Sequence, residues 1–139
     1  VTPRVIAICI FRRDDRILVT EIPDGDAVRG YRPLGGGVEW GEHTVDAVAR
    51  EIREELGVEL VEPRLLTVIE NLFTYRGEAG HEIVFVYDGV ASDPSLYQRE
   101  PFVYRDNEVP ARARWMRLGD FGPAAPLYPD GLLAALTRE

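Results

Sequence analysis

The stretch from Gly36 to Val58, GGVEWGEHTVDAVAREIREELGV, constrains this chain more than any other part of it. Thr44 is a good N-cap, Asp46 places a negative charge in a first helical turn, and Gly57 suits a helix end. These signals predict a helix over about Val45 to Leu56, with Val45, Ala49, Ile52 and Leu56 as its apolar stripe. Glu51, Glu54 and Glu55 then fall three and four residues apart on one face and repel one another. They stand toward the C-terminal half, where the helix dipole disfavours anions. A bound cation would resolve that cost, and hard carboxylate oxygens suit Mg²⁺ or Mn²⁺. For an isolated E-x-x-E-E, the ordinary explanation is a solvated acidic face paired with arginines such as Arg50 or Arg53. Ahead of the helix, Gly35-Gly36-Gly37 allows close backbone approach. A simple turn explains the three glycines equally well. Val38-Glu39-Trp40 reads as a short strand.

As a pattern, the stretch runs Gly36, five residues, Glu42, seven residues, Arg50-Glu51-Ile52, one residue, Glu54-Glu55, one residue, Gly57-Val58. It resembles the Nudix box with every fixed position filled. At average residue usage such a match arises by chance in roughly 1 in 10⁹ windows. The resemblance implies an α/β Nudix fold, a mixed β-sheet sandwiched between helices, formed by one domain over residues 1–139. It implies metal-dependent hydrolysis of a nucleoside diphosphate linked to another moiety, with Mg²⁺ or Mn²⁺ as cofactor. Glu51, Glu54 and Glu55 are the implied metal ligands, joined by a carbonyl from Gly36. Glu42 and Arg50 are implied to hold the loop and orient the carboxylates. The catalytic base varies within the family. Glu51 is one candidate, and Glu82, Glu100 and Glu108 are candidates from outside the box. In one departure from many members, Pro33 stands one residue earlier than the proline that usually precedes the paired glycines.

The rest of the chain fits one compact domain. Its 139 residues lie near the modal domain size and suffice to bury a core. The net charge is −8 and every basic residue is arginine. An acidic surface argues against binding a nucleic-acid polymer, which needs a basic stripe. It leaves room for a small nucleotide substrate whose phosphates are screened by metal. Any phosphate clamp must be arginine. Arg29 and Arg32, flanking Tyr31 just before the glycines, are the candidate clamp, with Tyr31 against a base. Ordinary surface charge around a core-edge tyrosine is the competing explanation. Cys9 lies in the apolar run Val5 to Phe11 and reads as a buried thiol. No apolar run reaches membrane-spanning length, and Val1-Thr2-Pro3-Arg4 shows no signal-peptide pattern. A cytoplasmic location without membrane contact is the expectation, and a homodimer stays open.

β-rich runs at Val5 to Phe11 and Ile17 to Glu21 flank a hairpin-like turn at residues 12–16. Asp24 to Gly30 reads as a polar loop. Leu65 to Phe73 and Glu82 to Val90 read as strands around a loop at residues 76–80, and Ala113 to Leu118 as another strand. Asp130 is placed to cap a helix from about Gly131 to Thr137. Ala91 to Arg112, rich in proline and charge, reads as a long irregular segment. His43 and His81 read as surface residues.

Substrate signals lie downstream of the box. Thr74 stands where the ADP-ribose subgroup carries proline. Tyr75 falls in the window where the dinucleoside polyphosphate subgroup carries tyrosine. That resemblance makes Tyr75 a candidate substrate contact and slightly favours such substrates over nucleotide-sugars or (d)NTPs. A Nudix-like sensor that binds nucleotide without hydrolysing it is the alternative of a different class.

Overall fold

The computed structural model describes residues 2–138; Val1 and Glu139, the ends of the expected 1–139 domain, lie outside the described residues. Two sheets and two helices form an α/β fold. In the first sheet the order is β5 (Leu34–Gly37), β1 (Arg4–Ile10), β7 (Glu78–Ala91), β6 (Leu60–Tyr75). β1 pairs parallel to β7 and antiparallel to β5, so the sheet is mixed. The second sheet is antiparallel. It joins β2 (Arg12–Arg13), β3 (Arg16–Asp24), β9 (Val109–Arg117) and β8 (Phe102–Asp106), with β4 (Ala27–Arg32) also paired to β3.

The period of two along β1 explains why a sheet can sit between helices. Ala7 and Cys9 point into one core with Val48, Ile52 and Leu56 of α1 (Thr44–Leu56). Ile6, Ile8 and Ile10 point into a second core with Leu132 and Leu136 of α2 (Leu132–Thr137). β1 is buried on both faces, and its run of uninterrupted apolar residues is what such a strand requires. Cys9 is fully buried, as expected, and burial pushes its thiol pKa far up.

Several local expectations change. Thr44 is the first helical residue and not the cap. His43 holds the N-cap position without a side-chain bond, and the Thr44 hydroxyl instead meets the Tyr87 hydroxyl at 2.6 Å. The buried face of α1 is Ala47, Val48, Ile52, Glu55 and Leu56. Of the expected stripe, Ile52 and Leu56 are buried, Ala49 is half-buried and Val45 is exposed. Gly57 does end the helix in the left-handed region, φ 70°. The three glycines form strand β5, and Val38 to Trp40 is loop.

The segment after β1 does not form a simple hairpin. The chain leaves the first sheet at Phe11, and Asp14-Asp15 turns between β2 and β3 of the second. The expected loop at 24–30 is mostly strand β4. The strands around residue 76 are longer than expected and meet at a tight Arg76-Gly77 turn, with φ of 52° and 80°. The segment 91–112 holds a 3₁₀ turn at Pro94–Gln98 and the β8–β9 hairpin. Apolar anchors order it, Leu96 and Tyr104 both being buried. Among the described residues no helix is long and apolar enough to cross a membrane.

Candidate active site

Strand β5 and helix α1 pack face to face, and the chemistry collects between them. Gly36 pairs with Ala7 of β1, and its bare Cα faces the Glu51 carboxylate. A Cβ on Gly36 would lie 2.5 Å from the Glu51 carboxyl carbon. Glycine here is a requirement of close approach, not of turn geometry. Gly35, φ 146°, passes so close to β1 that a Cβ would overlap the Ala7 carbonyl.

Arg50 organises the carboxylates. Its Nε and Nη2 donate to the two oxygens of Glu42, at 2.8 and 2.9 Å. Nη2 also donates to the Gly37 carbonyl at 3.1 Å, and Nη1 donates to Glu51 at 3.0 Å and Glu54 at 3.4 Å. Glu42 in turn accepts from the Glu39 amide. The guanidinium thus ties the loop after β5 to the helix. Its hydrogen bonds, with the Glu39 amide, hold the Glu42 carboxyl down at about 2. The same bonds raise the pKa of Arg50, whose charge is permanent.

Glu55 is the anomaly of the site. Its side chain is buried on the core face of α1, and neither carboxylate oxygen makes a hydrogen bond of good geometry, the Gly35 amide giving it only weak support. Burial, reinforced by the charges of Asp106 and Glu51, pushes its pKa up to about 8. Glu51 is also raised by burial, against the pull of Arg50. A buried acid with so little support costs stability and calls for a functional reason. Among the described residues no three acidic, imidazole or thiol groups converge closely enough to enclose a cation as they stand. Arg50 holds Glu51 and Glu54 instead. The donor chemistry nevertheless suits a hard divalent ion: three acids, Glu51, Glu54 and Glu55, border one cavity.

That cavity opens toward the β8–β9 turn, where Asp106, Asn107 and Glu108 face the helix. An inner cavity of about 260 Å³ adjoins it. Ile6, Ile8 and Val84 give it an apolar lining; Arg4, Arg32, Glu51 and Glu82 bring charge, and Tyr128 an aromatic ring. The Asn71 amide donates to Glu82 at 3.3 Å.

The candidates divided in consequence. Gly36, Arg32, Glu51 and Glu82 border the inner cavity, and Glu54, Glu55 and Glu108 the neighbouring one. Arg29, Tyr31 and Tyr75 border neither. Arg29 stacks between the rings of Tyr75 and Tyr128, 3.9 and 4.9 Å from their centres. Tyr75 bonds Asp24, and Tyr31 packs edge-on against Phe121. Glu100 and both histidines are exposed and stand apart from the two cavities. Sequence reasoning missed Arg4, Asn71, Asp106, Asn107 and Tyr128. For Asp106-Asn107, the turn-forming pair after the alternating Phe102-Val103-Tyr104 was a usable signal.

Similarity to known proteins agrees with this geometry. A NUDIX domain model matches residues 1–134. The chain is 32% identical over 96 residues to "Isopentenyl-diphosphate Delta-isomerase" of Cereibacter sphaeroides, covering 66% of this chain and 49% of that protein. It is 35% identical over 77 residues to "Uncharacterized Nudix hydrolase YvcI" of Bacillus subtilis, covering 55% and 44%. The chain thus spans about half the length of the curated relatives it matches. The crystal structure of a MutT NUDIX hydrolase from Burkholderia pseudomallei superposes with a TM-score of 0.66 at 26% identity, over 98% of each chain. With the family pattern complete from Gly36 to Val58 and the domain match running almost end to end, the chain belongs to the Nudix family.

Proposed function

We propose that this chain is a metal-dependent pyrophosphohydrolase that cleaves a nucleoside diphosphate linked to another moiety. The observation that carries the reading is Glu55: a buried carboxyl with no side-chain partner beside Glu51 and Glu54, on a helix facing glycines that leave no room for a side chain. A bound Mg²⁺ or Mn²⁺ would polarise the diphosphate and lower the pKa of an attacking water. Glu51, Glu54 and Glu55, with a Gly36 carbonyl, would hold it.

The chain's own residues supply the rest. Arg50 positions Glu51 and Glu54 and does not face the inner cavity. Glu51 and Glu82 both border that cavity, and one of them would take the water's proton. Arg32 and Arg4, which both border the inner cavity, would stabilise charge developing on the phosphate oxygens. Arg29 acts indirectly, by stacking on Tyr128 at the cavity, and Tyr31 supports the same wall because its carbonyl accepts from the Tyr128 amide at 2.8 Å. Tyr75 belongs to this stack. Its position downstream of the box favours a dinucleoside polyphosphate as substrate; nucleotide-sugars and (d)NTPs are the alternatives. The lone thiol, Cys9, is buried in the core and takes no part.

The test is incubation with Mg²⁺ and a panel of dinucleoside polyphosphates, nucleotide-sugars and (d)NTPs, with products identified by mass. Cation-dependent release of a nucleoside phosphate is expected. Tight nucleotide binding without products would favour the sensor reading.

A further inference from the structure

The second sheet opens along part of its length. β3 and β9 pair from Arg16 opposite Arg117 as far as Thr20 opposite Ala113. Continued in the same register, the ladder would set Pro23 against Pro110. Neither residue has an amide to donate, so the ladder ends where both strands carry proline. Past that point Glu21 and Ile22 pair with β4 only, and residues 109–112 with β8 only. The diverging strands line an outer cleft of about 510 Å³.

Ile22, Pro23, Val109, Pro110 and Ala111 make the lining of this cleft largely apolar. Val109 is 63% exposed there, with no core to join. The polar side chains at the cleft are already engaged with their neighbours. The Thr20 hydroxyl donates to the Arg112 carbonyl at 3.2 Å, and Glu21 stands 3.5 Å from Arg112 and 4.0 Å from Arg114. Glu21 thereby anchors Arg112 at the cleft while the arginine side chain stays more than half exposed. A planar guanidinium beside apolar surface suits a flat aromatic ring, on whose face arginine stacks. A polyhydroxyl sugar would need free hydrogen-bonding side chains, and those of this cleft are taken.

Arg32, Asp106 and Asn107 border both this cleft and the inner cavity. The two hollows thus meet at Arg32, one of the arginines assigned to the phosphate oxygens. A nucleotide with its base against Tyr128 and its phosphates at Arg32 leaves the outer cleft for the group attached beyond the phosphates.

We propose that the outer cleft is a second substrate subsite, which takes an aromatic base at the far end of the phosphate chain and stacks it on Arg112. The inference rests on the pyrophosphohydrolase reading and deepens it. The substrate then carries a nucleoside at each end, and Val109 and Arg112 select for the second one.

Calorimetry with Mg²⁺ and methylene-bridged analogues, whose bridging carbons resist hydrolysis, reads binding without turnover. Adenosine and guanosine tetraphosphate analogues set the baseline, and the matching dinucleoside tetraphosphates add the second base. Wild type should bind the dinucleoside analogues about tenfold tighter, within the scale of one stacked base. Arg112→Gln and Val109→Ser should each remove about threefold or more of that advantage, and change mononucleoside binding by less than about twofold. Arg112→Lys keeps the charge without the plane and should lose as much as Arg112→Gln. Circular dichroism checks folding, and Val109→Ser carries the test if the Arg112 variants do not fold. The subsite is overturned if wild type binds the two series equally, or if Arg112→Gln and Val109→Ser both keep the advantage. It is also overturned if Arg112→Gln weakens both series alike, which would put Arg112 on the phosphates, or if Arg112→Lys matches wild type. UDP-glucose is the remaining probe, and should bind all variants alike; a loss there instead would make the cleft a sugar site. Mononucleoside binding judges the hydrolase reading separately: its absence counts against that reading, whereas equal binding of both series counts against the cleft alone.

Discussion

Arg50 and Glu42 lie eight residues apart and meet through two parallel hydrogen bonds of 2.8 and 2.9 Å, closing the loop between β5 and α1 onto the helix. The same guanidinium reaches Glu51 and Glu54. Lysine keeps the charge but cannot present a planar fork. Arg50→Lys should therefore lower turnover or cation affinity by roughly 10- to 100-fold, the scale of a lost supporting contact. KM should change less than kcat. Steady-state kinetics across Mg²⁺ concentrations check this, and a pure KM effect would place Arg50 on the substrate.

Glu54→Gln and Glu55→Gln preserve size while removing charge. Each should cost at least roughly 10²-fold in turnover, the scale of one electrostatic catalytic contribution. Folding should survive both. Wild-type rates in either variant would remove that residue from the proposed ligand set.

Glu55 also predicts a pH dependence. Its carboxyl rises from the ordinary 4.5 to about 8 in the fold. Between those values the native state binds a proton that the unfolded chain has released, so stability falls as pH rises. The contribution is fully present below about 4.5 and lost through about 8, on the order of a few kcal/mol at about 1.4 kcal/mol per pH unit. Metal-free wild type should thus lose Tm relative to Glu55→Gln between pH 5 and 8. Cation binding displaces that proton and should tighten over the same range. Parallel melting curves for the two proteins across that range would contradict this account.

Gly36→Ala and Gly35→Ala separate chemistry from folding. At Gly36 the new methyl meets the end of the Glu51 side chain, which can swing away. Activity should fall steeply with a small change in Tm. At Gly35 it meets the backbone of β1, which cannot move, at a φ of 146°. That variant should lose about 1–3 kcal/mol, the scale of local backbone strain. Denaturant melts beside activity assays distinguish the two.

What the sequence revealed, and what it hid, has a common physical cause. Local rules govern the helix and its end at Gly57, and both were legible to within a residue, although the N-cap is His43 and not Thr44. The buried face of α1 was legible only at Ile52 and Leu56, because Glu55 occupies a core position that apolar patterning would never assign to glutamate. The acidic triad was legible as spacing; the burial of one member was not. Asp106 was hidden because Pro110 and the charges of 99–112 mask a hairpin whose anchor, Tyr104, is buried only through contacts far away in sequence. Tyr75 shows the converse. Its spacing from the box singled it out, but Arg29 covers its ring, and the tyrosine that borders the cavity is Tyr128.

That exchange of tyrosines yields the last prediction. Arg29 stands between the two rings, so Tyr75 acts on the cavity only by steadying Arg29 and, through it, Tyr128. Tyr128 is the ring available to a base. Tyr128→Ala should weaken nucleotide substrates by about 1–3 kcal/mol, the scale of base stacking on an aromatic side chain. Tyr75→Ala should cost less, under about 1 kcal/mol, the scale of an exposed cation–π contact. Neither should alter kcat on a minimal diphosphate substrate, because the acidic residues are untouched. If kcat/KM for nucleotides falls more in Tyr75→Ala than in Tyr128→Ala, the base lies on the outer side of the stack, and the subgroup spacing reports a direct contact after all.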